Sequence, residues 1–312
     1  MVERDLSAAT LGMDPGAGPG GLGGGAGGGA RGSVPWVDVV FGAAVRGSAL
    51  LLAAGFFWLV GDIVVSGWEA VDWSFLTTAP ERSGRAGGIS TILVSTLAIL
   101  GIALAVSVPL GLGTALFLSE FADGDSRLGR LVRASLDVLA GVPSIVFGLF
   151  GNAFFCVVLG FGFSILSGGL TLACMILPIL IRSIELSLRA VPRDYRLAGS
   201  ALDISRTRMI LSVLLPAASP GLVAGLLLGI GRATAETAAL IFTSGYVDRM
   251  PESVFDSGRS LSIHIYDLSM NVPGGEANAY GAALVLVALL LVINFVATTL
   301  VERFAAKGVR QG

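Results

Sequence analysis

The sequence predicts an all-α integral membrane protein built as a six-helix transmembrane bundle. Three observations predict it. The 312 residues are 54% hydrophobic and only 13% charged, whereas a soluble domain carries about 25% charged residues. The mean hydropathy is +0.83. Six stretches, near 43–65, 89–119, 136–160, 165–188, 210–243 and 281–301, each reach the roughly 20 residues that a membrane helix needs.

Taken in order, residues 1–34 are a low-complexity tail in which twelve residues are Gly. Ordering so much glycine costs too much chain entropy, so this segment is expected to be a disordered cytoplasmic tail. It lacks a basic region followed by an apolar run, so it is not read as a signal peptide. No Lys-Ser/Thr follows its glycines, so it is not read as a phosphate loop. Residues 35–86 hold the first span, with Asp62 near its end, and an outer loop. The second span carries Pro109 and the third Gly141-Val-Pro143; such residues are tolerated in membrane helices when neighbours satisfy the freed backbone groups. Residues 87–301 form the expected core, and 302–312 a cytoplasmic tail.

The inner loop 189–209 is basic, helix-compatible and too polar to be a mere turn. The fifth stretch is too long for one straight span. Pro216 and Pro220 should bend it, leaving 210–219 as an elbow and 221–243 as the span. The outer loop 244–280 is long and polar, with a helical or extended segment around 261–266. With the N-terminus inside, fourteen Arg and Lys residues fall on inner segments and four (Arg82, Arg85, Arg249, Arg259) on outer ones. The positive-inside rule therefore predicts a multi-pass protein of the cytoplasmic membrane with both termini in the cytoplasm.

Arg232 and Glu236 lie inside the otherwise apolar fifth span. A charge near the centre of a membrane helix costs roughly 2.5–3.5 kcal/mol on insertion scales, which points to a pore, a substrate path or a protein partner. On a straight helix turning about 100° per residue, Gly221, Gly225, Gly229, Arg232, Glu236 and Thr243 share one narrow arc. One reading is a close-packing seam locked by an i,i+4 ion pair. The other is a path on which Arg232 meets a translocating anion and Glu236 orients it, since planar guanidinium donors contact two oxygens at once. On the fourth span Thr171, Met175, Pro178, Arg182, Glu185 and Arg189 line one side. Arg182 either joins the same cationic path or snorkels to the inner surface.

Catalytic and metal chemistry find no support. Cys156 and Cys174 lie in apolar spans and show no metal or disulfide spacing. His264, the sole histidine, has no second ligand nearby. There is no Walker A sequence, no metalloprotease motif and no nucleophile elbow. No enzyme is expected, and energy for any active transport must come from a partner or an ion gradient.

The segments 87–97 (GGISTILVSTL), 109–122 (PLGLGTALFLSEFA), 139–151 (LAGVPSIVFGLFG), 164–185 (SILSGGLTLACMILPILIRSIE), 188–202 (LRAVPRDYRLAGSAL) and 229–245 (GIGRATAETAALIFTSG) together resemble the phosphate-specific (Pst) ABC importer permeases. The TAALIF run after Glu236 and the segment 260–269 (SLSIHIYDLS) favour the A-type subunit. The resemblance implies a type I ABC importer permease with a cytoplasmic coupling helix. It also implies a C-type permease as heterodimer partner, two copies of a cytoplasmic ATPase that bind ATP and Mg, and an extracytoplasmic phosphate-binding protein. Membrane lipid surrounds such a subunit, inorganic phosphate is its cargo, and no nucleic acid or cofactor of its own is expected. Family arginines matching Arg182 and Arg232, and the glutamate matching Glu236, are implicated in phosphate passage; Thr243 joins them here by its place on the arc.

The family's coupling motif, Glu-Ala-Ala…Gly, maps onto the inner loop with departures. Leu197 stands where Glu is expected, Ala198 matches, Gly199 replaces the second Ala, and Asp203 replaces Gly. The ending Leu214-Leu-Pro216 is retained. Coupling is therefore expected through 193–208, with Arg193, Tyr195, Arg196, Leu197, Ala198, Gly199, Asp203 and Pro216 as its residues. The alternatives are a permease for another oxyanion, sulfate or molybdate, or a non-conducting phosphate-sensing scaffold.

Overall fold

The computed structural model describes residues 36–122 and 126–310. The expected disordered tail, 1–34, lies outside the described residues. The chain divides into a unit that ends at Ala54 and a second that runs from Gly55 to the C-terminus. Helix α1 (Trp36–Trp68) begins in the first unit. Its side chains there are exposed and mostly apolar, as suits a surface facing lipid or another protein.

In the second unit, the end of α1 leads to α2 (Trp73–Thr77), capped by Asp72, which accepts from the Phe75 amide at 2.6 Å. A two-residue hairpin follows, β1 (Pro80–Glu81) antiparallel to β2 (Ala86–Gly87). Then come α3 (Ser90–Leu116), continued to Phe121 by a wider π-helical turn, and α4 (Arg127–Ala140). Helix α5 (Ser144–Gly151) is extended by a π turn to Val158. It precedes α6 (Ile165–Ala190), α7 (Arg193–Ala201), α8 (Arg206–Met209) and, after another π turn, α9 (Leu215–Ala217). The chain continues through α10 (Ser219–Thr234), α11 (Ala238–Ile241), α12 (Leu261–Met270) and α13 (Glu276–Arg310).

Four helices, α1, α3, α6 and α13, are long and apolar enough to cross a membrane by themselves. Two bent pairs bring the number to six if each counts as one span. The third stretch, expected near 136–160, is bent: α4 meets the α5 segment at 106°. Pro143 explains the corner, because proline excludes its predecessor from helical backbone, and the chain turns through Gly141 and Val142. The elbow expected at Pro216 and Pro220 is present as a 66° bend between the segments 206–217 and 219–234.

Helices α3 and α10 both pack on α6, and α13 packs on α10 and α12. The core is layered along this bundle. One cluster joins Leu118, Leu180, Ile184, Leu188, Ile210 and Leu214 near the inner loop. A second joins Ile99, Leu172, Ile176, Ala233, Leu240 and Ile263. The third joins Phe75, Ile89, Ile92, Leu261 and Ala282 under the hairpin.

Candidate functional site

The glycines of α10 form a packing seam. A Cβ at Gly221 would fall 2.1 Å from the Ser187 Cβ, and one at Gly225 would fall 3.0 Å from the Ser183 Cβ. Two hydroxyls stitch the seam: Ser183 Oγ donates to Gly221 O at 2.8 Å and Ser187 Oγ to Ala218 O at 3.0 Å. Small residues here let α6 and α10 approach within backbone range.

The arc does not continue beyond this seam. Helix α10 ends at Thr234, the Ala235 amide makes its last i→i−4 bond, to Gly231 O, and residues 236–237 leave that pattern before α11 begins. Arg232 and Glu236 are therefore not one turn apart on a single helix, which corrects the expected straight span 221–243, and they form no ion pair. The sequence holds no Gly or Pro at the break. Tertiary contacts make it: Ser262 Oγ, on α12, donates to Glu236 O at 2.7 Å. Glu236 is buried, and its carboxylate folds forward to accept from the Ala239 amide at 3.2 Å. This satisfies an amide in the first turn of α11 that has no partner within the helix.

Arg232 occupies the last turn of α10. It is exposed and makes no hydrogen bond or ion pair among the described residues. Thr243 is fully buried; its hydroxyl donates to Ala239 O at 2.9 Å, and a Cβ at Gly151 would strike both Thr243 and Thr171. In this conformation Thr243 packs α5 against the α11 turn.

Arg182 belongs to a charge knot between α4 and α6. Glu185, its side chain 3% exposed, receives Arg133 at 2.9 Å and Arg189 at 3.1 Å on Oε1, and Arg182 at 3.3 Å on Oε2. Arg182 also reaches Asp137 Oδ1 at 2.5 Å. Arg133 and Arg189 each donate to Leu118 O at 3.1 Å, which pins the end of α3 to the same point. The 182/185/189 spacing is readable as i,i+3 and i,i+4 pairing. The roles of Arg133 and Asp137 were not, because they come from another helix.

The loop 189–209 is helical over α7 and α8, as its sequence suggested. In α7, Arg196 forms a two-point pair with Glu120, at 3.2 and 2.6 Å, and donates to Leu188 O and Val191 O. The Arg206 guanidinium lies 4.2 Å from the Phe121 ring centre and donates to Glu120 O. Both therefore tie this loop to the end of α3. Gly199 is buried against Met209, where a Cβ would fall 2.8 Å from Sδ. Arg193 and Ala198 are exposed, as are Tyr195, Leu197 and, beyond the helix, Leu202 at 73%. Pro216 lies in the short α9 and is half-buried.

Asp203 stands at φ +52°. The Ile204 amide donates to Gly199 O at 3.0 Å and the Asp203 amide to Ser200 O at 3.2 Å. This is a Schellman ending with Asp203 at the left-handed position that glycine usually fills. Asp is among the few other residues that visit that region routinely.

In the 244–280 segment, His264 is 1% exposed beneath the hairpin turn at Gly84, and Nε2 finds no partner among the described residues. Burial, reinforced by the nearby Arg259 guanidinium, pushes its pKa down to about 4. Arg259 is itself held by Asp267 at 3.2 Å. No metal-holding group of His, Cys, Asp and Glu occurs among the described residues.

The family described as "Binding-protein-dependent transport system inner membrane component" matches residues 107–308. The chain is 33% identical to the "Probable ABC transporter permease protein YqgI" of Bacillus subtilis, over 80% of this chain and 90% of that one. It is 37% identical to the "Phosphate transport system permease protein PstA 1" of Mycobacterium tuberculosis, over 80% and 83% of the two chains. Among solved structures, a bacterial ABC transporter involved in the import of the acidic polysaccharide alginate superposes with a TM-score of 0.57. At 13% identity it covers 86% of this chain and 98% of that one, a likeness of fold alone.

Proposed function

Because this chain belongs to the binding-protein-dependent inner-membrane permease family, we propose that it is the multi-pass permease subunit of an ATP-driven phosphate importer and forms half of the anion path. It is a transporter subunit and not itself an enzyme. The phosphate transport permeases among its relatives support the cargo. The observation that carries the site is Arg232: a guanidinium in the last turn of a membrane helix, exposed and unpaired among the described residues. A charge so placed is costly in lipid and needs satisfaction that none of the described residues gives. An oxyanion and a second, C-type permease subunit across the path supply it together.

Arg182 is the second cationic point of that path, and Glu236 shapes the turn that presents Arg232. Thr243 contributes through the same turn. An extracytoplasmic phosphate-binding protein delivers the anion. With both termini cytoplasmic, α7 faces the cytoplasm and couples to one of two ATPase copies, which bind ATP and Mg. The exposed Tyr195, Leu197 and Leu202 are the surface that docks there, while Arg196, Gly199 and Asp203 hold the helix in place.

The test is ATP-dependent uptake of radiolabelled phosphate by the reconstituted complex. Losing a charge-assisted hydrogen bond costs about 1.5–3 kcal/mol, so Arg232→Ala should lower uptake roughly 10- to 150-fold in a complex that still assembles. Wild-type uptake by an assembled Arg232→Ala complex would remove Arg232 from the path. Uptake of labelled sulfate in place of phosphate would reassign the cargo.

A further inference from the structure

The charge knot holds two carboxylates of opposite character. Glu185 is buried, and both of its oxygens are taken by arginines. It cannot leave without stripping Arg133 and Arg189 of their carboxylate partner and Arg182 of one of its two. Asp137 is 66% exposed, and its single ion pair is with Arg182, which is itself 34% exposed. One carboxylate is fixed and the other is exposed and held by a single ion pair.

We infer that Asp137 is a tethered counter-anion that occupies Arg182 in the place a transported oxyanion takes, and exchanges with it during passage. Three features of the geometry support this. First, Glu185 engages Arg182 through Nη1, whereas Asp137 engages Nη2; removing Asp137 leaves Nη2 only a long 3.4 Å bond to Arg133 O and leaves the knot standing. Second, an exposed ion pair contributes little net free energy in water, so a free oxyanion competes with it readily. Third, when Asp137 swings away, Arg133, Arg182 and Arg189 face Glu185 alone. The excess of two positive charges matches a phosphate dianion, and the guanidinium fork fits its oxygens. The returning carboxylate then repels the anion and drives its release, so that the cationic site does not become a trap.

This inference rests on the reading that the chain conducts an oxyanion past Arg182. The test separates the two. The assembled complex in lipid nanodiscs, without binding protein or nucleotide, is titrated with radiolabelled phosphate, and turnover is measured in proteoliposomes. Asp137→Asn keeps the shape and a hydrogen bond to Arg182 but removes the charge. It should bind phosphate about two- to fivefold more tightly and turn over more slowly by a similar factor, and Asp137→Glu should restore both values. A purely structural tether predicts unchanged binding in Asp137→Asn; that result, or weaker binding in an assembled complex, overturns the inference. The wild-type arm judges the reading beneath it: a wild-type complex that takes up sulfate and not phosphate overturns the assigned cargo. The Asp137 comparison is then decided with labelled sulfate.

Discussion

Glu185→Gln tests the charge knot most sharply. The substitution keeps shape and volume and removes the only buried negative charge among three guanidinium groups. Breaking a buried ion pair from one side costs about 3–5 kcal/mol. The arginine side chains retain 18%, 34% and 45% exposure, so water screens part of their repulsion and the lower end, about 3 kcal/mol, is expected. For a unit of this size each kcal/mol moves the melting point by about 2–4 °C, giving a fall of roughly 6–12 °C. The free thiols of Cys156, which is buried, and Cys174, which is half-buried, report unfolding through a thiol-reactive fluorophore, and neither touches the knot. Adding Arg189→Gln to Glu185→Gln removes one stranded charge and should recover part of the loss, whereas Arg189→Gln alone should cost under about 1 kcal/mol. A fall below about 2 °C, or a double variant in which the losses simply add, would refute the account of Glu185 as the electrostatic centre of this knot.

Two further outcomes are expected. At Asp203, left-handed backbone costs an ordinary L-residue about 1–2 kcal/mol, so co-purification of the ATPase should rank Gly at or above Asp and Asp above Val; a Val variant that retains the ATPase fully would break the link between this turn and docking. His264 has a folded pKa of about 4 against an ordinary 6.5, so the folded state resists a proton that the unfolded chain accepts. Stability should be unaffected above pH 6.5 and decline as pH falls towards 4, by about 3 kcal/mol in all at about 1.4 kcal/mol per pH unit. His264→Leu should remove this component when melting profiles from pH 7.5 to 4.5 are subtracted, and superimposable profiles would exclude it.

Much of the bundle was legible because the signals were local. Apolar length marked the spans, Pro216 and Pro220 marked the elbow, and small residues on one arc marked the seam that α6 fills with Ser183 and Ser187. The inner loop declared its helix through composition. Even the departure at Asp203 was visible as a mismatch, although its meaning needed the φ angle. Other features left no local mark. Nothing between Arg232 and Thr243 is a helix breaker, yet the helix ends at Thr234, where α12 takes the Glu236 carbonyl from 26 positions along the chain.

The sequence by itself determined the membrane class, the number of apolar segments, the elbow and the charged residues around which function is argued, since hydropathy and proline chemistry act over one or two turns. Only the tertiary structure decided how those charges are spent. Arg232 and Glu236 were separated, because a hydroxyl from a distant helix satisfied a backbone carbonyl better than the next helical turn did. Arg182 was drawn to Asp137, and Arg133 to the buried Glu185, because a buried charge needs partners that the fold, as well as the local chain, brings within reach.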